Sequence, residues 1–191
     1  ELLKHISTIP ELPDAVPLRV TYYRDKWGLC ASQNQVDNLL PGTYLVNIDT
    51  EHYDDYLRIG EYYLPGELED EIIITSYLCH PMGANDNQSG VVVSVELFKL
   101  LEKLKSRRNS YRLLIWPEGI GALTYLANFP ERIKKTIGGY VVTCVGDPGI
   151  IHYKKTYQGD TLFDRVALHA LKHSGKENKL KKFIYSLGSD E

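Results

Sequence analysis

A chain of 191 residues, 43% hydrophobic and 25% charged, is long enough for one good core or for a core plus a small accessory unit, and its composition is that of a soluble globular protein. Its formal net charge of −3 at pH 7 argues against nucleic acid or an anionic membrane as the main partner, since both ordinarily require a basic face. No apolar run approaches the roughly 20 residues of a spanning helix, and no basic and apolar leader opens the chain, so the sequence reads as cytoplasmic.

The chain opens on Glu1 in what reads as mid-helix, and stops at "GSDE", which reads as a fragment of a longer protein. Cys30, Cys79 and Cys144 form no CxxC pair and are too few for a disulfide framework; reduced, buried thiols are expected.

In chain order, the first third is rich in Pro, Tyr and short turn-bounded segments: "IPELPDAVP", "GLCASQNQ", "PGTYLVNIDTEH" and "YLRIGEYYLPGE". Tyr, Val and Ile between Gly, Pro and Asp predict short antiparallel strands, "LRIGEYYLPG" being the last. From about residue 66 the character changes. "DEIIITSYL" is a continuous apolar β-branched run, followed by the helical "SGVVVSVELFKLLEKLKSR", the strand "YRLLIWP", the helix "GALTYLANFPERIKKTI" and the strand "GGYVVTCVG". Unbroken apolar strands alternating with helices predict an α/β fold with a mostly parallel central sheet flanked by helices. "TLFDRVALHALKHSG" adds an amphipathic helix ending near Gly175. The expected division is residues 1–65 as a small β-rich accessory unit and residues 66–191 as the α/β core, incomplete at its C-terminal end.

The residues that follow the apolar strands carry the chemistry. "EIIITSYLC" delivers His80, "YRLLIWP" delivers Glu118 and "GGYVVTCVG" delivers Asp147, with Asp86 at the start of the helix after His80. In open α/β sheets ligands bind beyond the carboxyl ends of the strands, so these groups are expected at one edge. One imidazole and three carboxylates repel unless a cation neutralises them, and nitrogen and oxygen donors suit zinc, as one ion or as two bridged by a carboxylate. Each residue also has a plainer role. His80 would serve as a core histidine bonded to backbone, Asp86 as a helix cap in competition with Asn85, Asn87 or Ser89, Glu118 as a first-turn acid, and Asp147 as a turn former before Pro148 and Gly149.

At these residues a resemblance emerges. "HPMGANDNQSGVVVSVEL" resembles the metal-binding segment of the zinc-dependent aminopeptidases, to which the glutaminyl cyclases are related. A bacterial group of aminopeptidase-like domain proteins is more similar still. It shares Trp27, Gly28, Cys30, Ser32, Asn34 and Gln35, then "GE..LPGE", "CHP..AND..SG", "PE.IGA", "TCVGD" and "GSDE", over nearly the whole chain. The resemblance implies a phosphorylase/hydrolase-like zinc exopeptidase core with one or two zinc ions. His80 would be the first histidine ligand, Asp86 the bridging carboxylate, Glu118 the ligand of one ion and Asp147 that of the other. The implied activity is hydrolysis of an N-terminal peptide or amide bond in a small substrate, with metal-bound water as nucleophile and a glutamate shuttling the proton.

Three positions depart from the peptidase pattern. Met82 stands where an aspartate would fix the imidazole, and Pro117 where the first of two adjacent glutamates would be the general base. The last histidine ligand lies beyond Glu191, and His152, His169 or His173 would replace it only by chance placement. Glu118 is the first candidate for the base, with Asp190 and Glu191 as further acids near the metals. Two readings follow: a zinc-dependent aminopeptidase-type hydrolase, or a non-catalytic metal- or ligand-binding module with a degenerate site. The aromatic-rich first third would line a substrate cleft or join copies of the chain into a homo-oligomer. A cysteine hydrolase is disfavoured, because adjacent strand residues such as Cys79 and His80 point to opposite faces.

Overall fold

The computed structural model describes residues 1–19, 24, 26–79, 83–185 and 190. The chain divides into two compact units, Glu1–Asp54 and Asp55–Glu191.

Unit 1 opens with a 3₁₀ turn, Leu2–His5, and its two short strands, β1 (Ile6–Ser7) and β2 (Leu29–Cys30), pair in parallel. The expected series of antiparallel strands is therefore absent among its described residues. Polar local bonds hold the unit instead. Ser32 and Gln35 form a capping box at the start of α1 (Gln33–Asp37), Thr8 donates to Gln33, and the His5 ring stacks on Trp27 at 3.8 Å. Its buried described residues are Pro17 and Ser32, whereas Leu18, Leu40 and Leu45 face solvent, so packing of apolar side chains contributes little here.

Unit 2 is built on a four-stranded sheet ordered β3 (Gly60–Leu64), β5 (Ser110–Trp116), β4 (Glu71–Tyr77), β6 (Thr136–Val141). β4 runs parallel to both β5 and β6, and β3 is antiparallel to β5. Residues 55–65, assigned from the sequence to the first unit, thus belong with the second: "GEYYL" places Leu64 against the core and leaves a mostly exposed edge strand.

Successive residues of β4 and β5 point to opposite faces, and each face is covered. Ile74 and Leu113 pack with Leu64 and Phe98 of α2 (Gly90–Glu102). Ile73, Leu114 and Trp116 pack with Tyr77 and with Tyr125 of α3 (Ile120–Asn128). The single helix expected over residues 121–137 is two pieces, because Pro130 lacks the N–H to continue α3 and opens α4 (Pro130–Ile133), after which Thr136 already enters β6. At the amino end of β4 the buried Arg112 guanidinium holds Glu71 through two 2.6 Å hydrogen bonds and also pairs with Glu61. A separate parallel pair, β7 (Ile151–Lys154) and β8 (Asn178–Lys181), is linked by α5 (Leu162–His173), whose C-terminal side carries Gly175 at φ +68°.

Candidate functional site

Because β4, β5 and β6 are parallel, their carboxyl ends open on one edge of the sheet. Tyr77, the last residue of β4, is buried and donates from its hydroxyl to Asp86 Oδ1 at 2.9 Å while accepting from Thr143 Oγ1 at 2.7 Å. Burial pushes the Tyr77 phenol up, and Asp86 adds to this against the opposing Thr143 bond, so the hydroxyl stays a neutral donor.

Asp86 lies in an irregular helical turn, Ala84–Ser89, where Asp86 and Asn87 leave helical backbone angles and are joined by a cis peptide. It does not cap α2. That role falls to Asn87, whose Oδ1 accepts from Gly90 N at 3.2 Å and from Cys144 N at 2.9 Å. Its Nδ2 donates to Ser76 Oγ at 3.0 Å and to the Tyr77 carbonyl at 3.1 Å. One side chain, 1% exposed, thus ties the end of β4, the start of α2 and the loop after β6. The fit requires glycine at residue 90: a Cβ there would lie 2.3 Å from the Val142 carbonyl oxygen. Asn85 and Ser89 continue the seam, accepting from Gly146 N and Val145 N at 2.8 and 3.0 Å.

Glu118 is exposed and sits just before Gly119, the N-cap of α3, so it is not the first-turn acid of that helix. Asp190 takes that place: its carboxylate accepts from Gly119 N at 2.7 Å and from Trp116 Nε1 at 2.9 Å. The Glu118 backbone N–H donates to Cys79 Sγ. Partial desolvation pushes the Cys79 thiol up; that N–H opposes the shift, and the charges of Glu118, Asp190 and Asp86 reinforce it. Three of the expected site acids therefore act on one sulfur.

Asp147 stands apart from them. β6 ends at Val141 rather than within "TCVG", and Asp147 lies in the exposed loop beyond, where Oδ1 accepts from Gly149 N at 2.7 Å in a side-chain-closed turn and Oδ2 accepts from Asn85 at 3.4 Å. His80, Met82 and Glu191 lie outside the described residues. His169 and His173 face each other on α5, their rings 4.5 Å apart. All three cysteines are free and exposed, against the expectation of buried thiols, because Cys79 and Cys144 fall in the edge loops rather than inside the strands. Asn87, Tyr77 and Thr143 are the site residues that sequence reasoning undervalued; Asn87 had a signal, as one rival for the cap of α2.

Among the described residues, no group of three or more His, Cys, Asp and Glu side chains is placed to hold a metal ion. The donors suit zinc chemically, but a sufficient set needs His80. Beside Asp147 and Asp190, a cavity of about 800 Å³ opens along β6 and β7, lined also by Thr143, His152 and Tyr153. No helix among the described residues is long and apolar enough to cross a membrane.

A Clostridium acetobutylicum protein named "Putative polysaccharide biosynthesis protein with aminopeptidase-like domain" is 43% identical over 191 residues, which cover 100% of this chain and 44% of that protein. A crystal structure of a "putative peptidase" from Clostridium acetobutylicum superposes with a TM-score of 0.94 at 42% identity, covering 99% of this chain and 44% of that one. The chain thus spans less than half the length of the relatives it matches. Residues 8–191 match the family described as "Domain of unknown function (DUF4910)", and the chain belongs to that family.

Proposed function

We propose that this chain is the core of a zinc-dependent hydrolase of aminopeptidase type, acting in the cytoplasm on a peptide or amide bond of a small substrate. The observation that carries the reading is that Asp86 and Glu118, at one sheet edge, are both relieved of the helix-capping roles that would otherwise explain them, by Asn87 and Asp190 respectively. The aminopeptidase-like name of the relative supports it. His80, Asp86, Glu118 and Asp147 are the proposed ligands of one or two zinc ions, on a zinc exopeptidase core. When bound, zinc supplies Lewis-acid polarisation of a carbonyl and a more acidic water. The chain's own part is to hold Asp86 through the Tyr77 hydroxyl, to keep the Cys79 thiol protonated beside the acids, and to offer Glu118 as proton carrier.

A second reading, a ligand-binding module with a degenerate site, rests on Pro117, which stands where the peptidase pattern has its general base. Elemental analysis of purified protein separates the two. About one or more zinc per chain, lost in His80→Ala and Asp147→Ala, followed by hydrolysis of aminoacyl amides, is the expected result. Absence of zinc after zinc is supplied refutes the hydrolase reading.

A further inference from the structure

α5 carries two imidazoles that neither the sheet edge nor the core uses. Phe163, Ala167, Leu168 and Leu171 lie on its partly buried side, whereas His169 and His173 are exposed. Residues four apart in a helix share one face, and here the two rings stand 4.5 Å apart, centre to centre, with their planes at 50°. A solvated polar face is the plain role of exposed histidines. Two imidazolium rings so placed repel, however, and a cation held between the neutral rings removes that cost. The ring separation also selects a coordination geometry. A metal–nitrogen bond of about 2.1 Å, extended about 1.1 Å to the ring centre, puts an ion about 3.2 Å from each centre. Two imidazoles at right angles around it then stand about 4.5 Å apart, and at the tetrahedral angle about 5.2 Å. The observed 4.5 Å fits the right angle of a tetragonal or octahedral ion. His173 is moreover the last residue of α5, where the helix dipole attracts positive charge. Lys172 in the same turn opposes this, but it is exposed and its charge is screened. Among the described residues no third His, Cys, Asp or Glu joins the pair, which leaves the remaining coordination positions to water.

We propose that His169 and His173 form a two-point site for a first-row divalent cation of tetragonal preference, Ni²⁺ or Cu²⁺, at the end of α5. The site shares no ligand with the proposed zinc centre and does not depend on it. An ion there ties successive turns of the helix together. It thereby fastens the end of α5, where the Leu171 carbonyl already accepts from Ser174 Oγ and from Asn178 at the start of β8.

Calorimetric titration of the full chain with Ni²⁺, which spares the three free thiols from oxidation, tests this. The expected result is one Ni²⁺ per chain whose affinity falls about 100-fold in His169→Ala and likewise in His173→Ala, since either change turns a two-point hold into a one-point hold. Zn²⁺, which prefers tetrahedral ligands, should bind the pair more weakly than Ni²⁺. Both histidines are exposed and alanine is the better helix former, so both variants should keep the urea transition of the wild type. His80→Ala should leave this Ni²⁺ in place. An unchanged Ni²⁺ affinity in either helix variant, tighter binding of Zn²⁺ than of Ni²⁺ at the pair, or no Ni²⁺ binding at all overturns the proposal. Loss of Ni²⁺ in His80→Ala alone also overturns it and assigns the ion to the sheet edge, whereas Ni²⁺ lost only in the helix variants upholds it even if no zinc is found at that edge.

Discussion

Replacing Asn87 by alanine should be among the most damaging single changes at the sheet edge. The side chain is 1% exposed and makes four hydrogen bonds of 2.9 to 3.2 Å, to Ser76, the Tyr77 carbonyl, Gly90 N and Cys144 N. A net contribution of about 1 kcal/mol per bond gives a loss of about 4 kcal/mol, because an alanine methyl leaves these partners without a replacement in a closed site. Ordinary surface substitutions stay within about 0.5 kcal/mol. Urea unfolding monitored by the fluorescence of Trp116, which is buried in unit 2, reads the loss directly. The transition midpoint should fall with no change in slope, and Ser76→Ala, which removes the bond from Asn87 and the bond that Ser76 donates to the Val142 carbonyl, should lose about half as much. A loss under about 1 kcal/mol for Asn87→Ala would refute the view that this one amide joins β4, α2 and the loop after β6.

Three further outcomes are expected. Gly90→Ala drives a Cβ to 2.3 Å from the Val142 carbonyl oxygen and 2.5 Å from Asn87 Oδ1, and should cost about 1–3 kcal/mol in the same assay. Tyr77→Phe should leave stability within about 1 kcal/mol but, by releasing Asp86, weaken zinc about 10- to 100-fold against a chelating dye; unchanged zinc affinity would separate Asp86 from the metal. Burial by itself would push the Asp164 carboxyl up, yet the hydrogen bonds from Thr156 and Thr161 outweigh this and hold it well below the usual range. A depressed carboxylate stabilises above its unfolded value of about 3.9 and loses that contribution as pH falls through the folded value, so the stability curves of wild type and Asp164→Asn should converge from about pH 4 downward, and parallel curves would refute the assignment.

The strand and helix alternation of unit 2 was legible because each apolar run had to be covered on both faces. "EIIITSY" is buried along nearly its whole length, and the helix that follows it does pack on the sheet. Unit 1 was misread among its described residues, because Tyr44, Val46 and Tyr53 lie in no strand there, and its order comes from capping and turn bonds that composition does not reveal. Strand ends were legible only to within several residues. Asp147 was expected directly after a strand but sits in a loop, since "TCVG" spends its backbone groups on Asn87, Ser89 and Asn85 instead of on a neighbouring strand. The candidate acids could be named from position, but which of them are held by caps depended on Asp190, far away in sequence.

That long-range contact bears on the order in which the molecule can assemble. Asp190 bonds to Trp116 and Gly119 at sequence separations of 74 and 71, so β5 and α3 can form and pack while the first turn of α3 still lacks its acidic partner. Closing so long a loop is slow compared with making a local helix. The Glu118 corner should therefore be the last part of the sheet edge to acquire its native geometry. A chain ending before residue 190 would then keep its apolar core yet leave that corner unpinned.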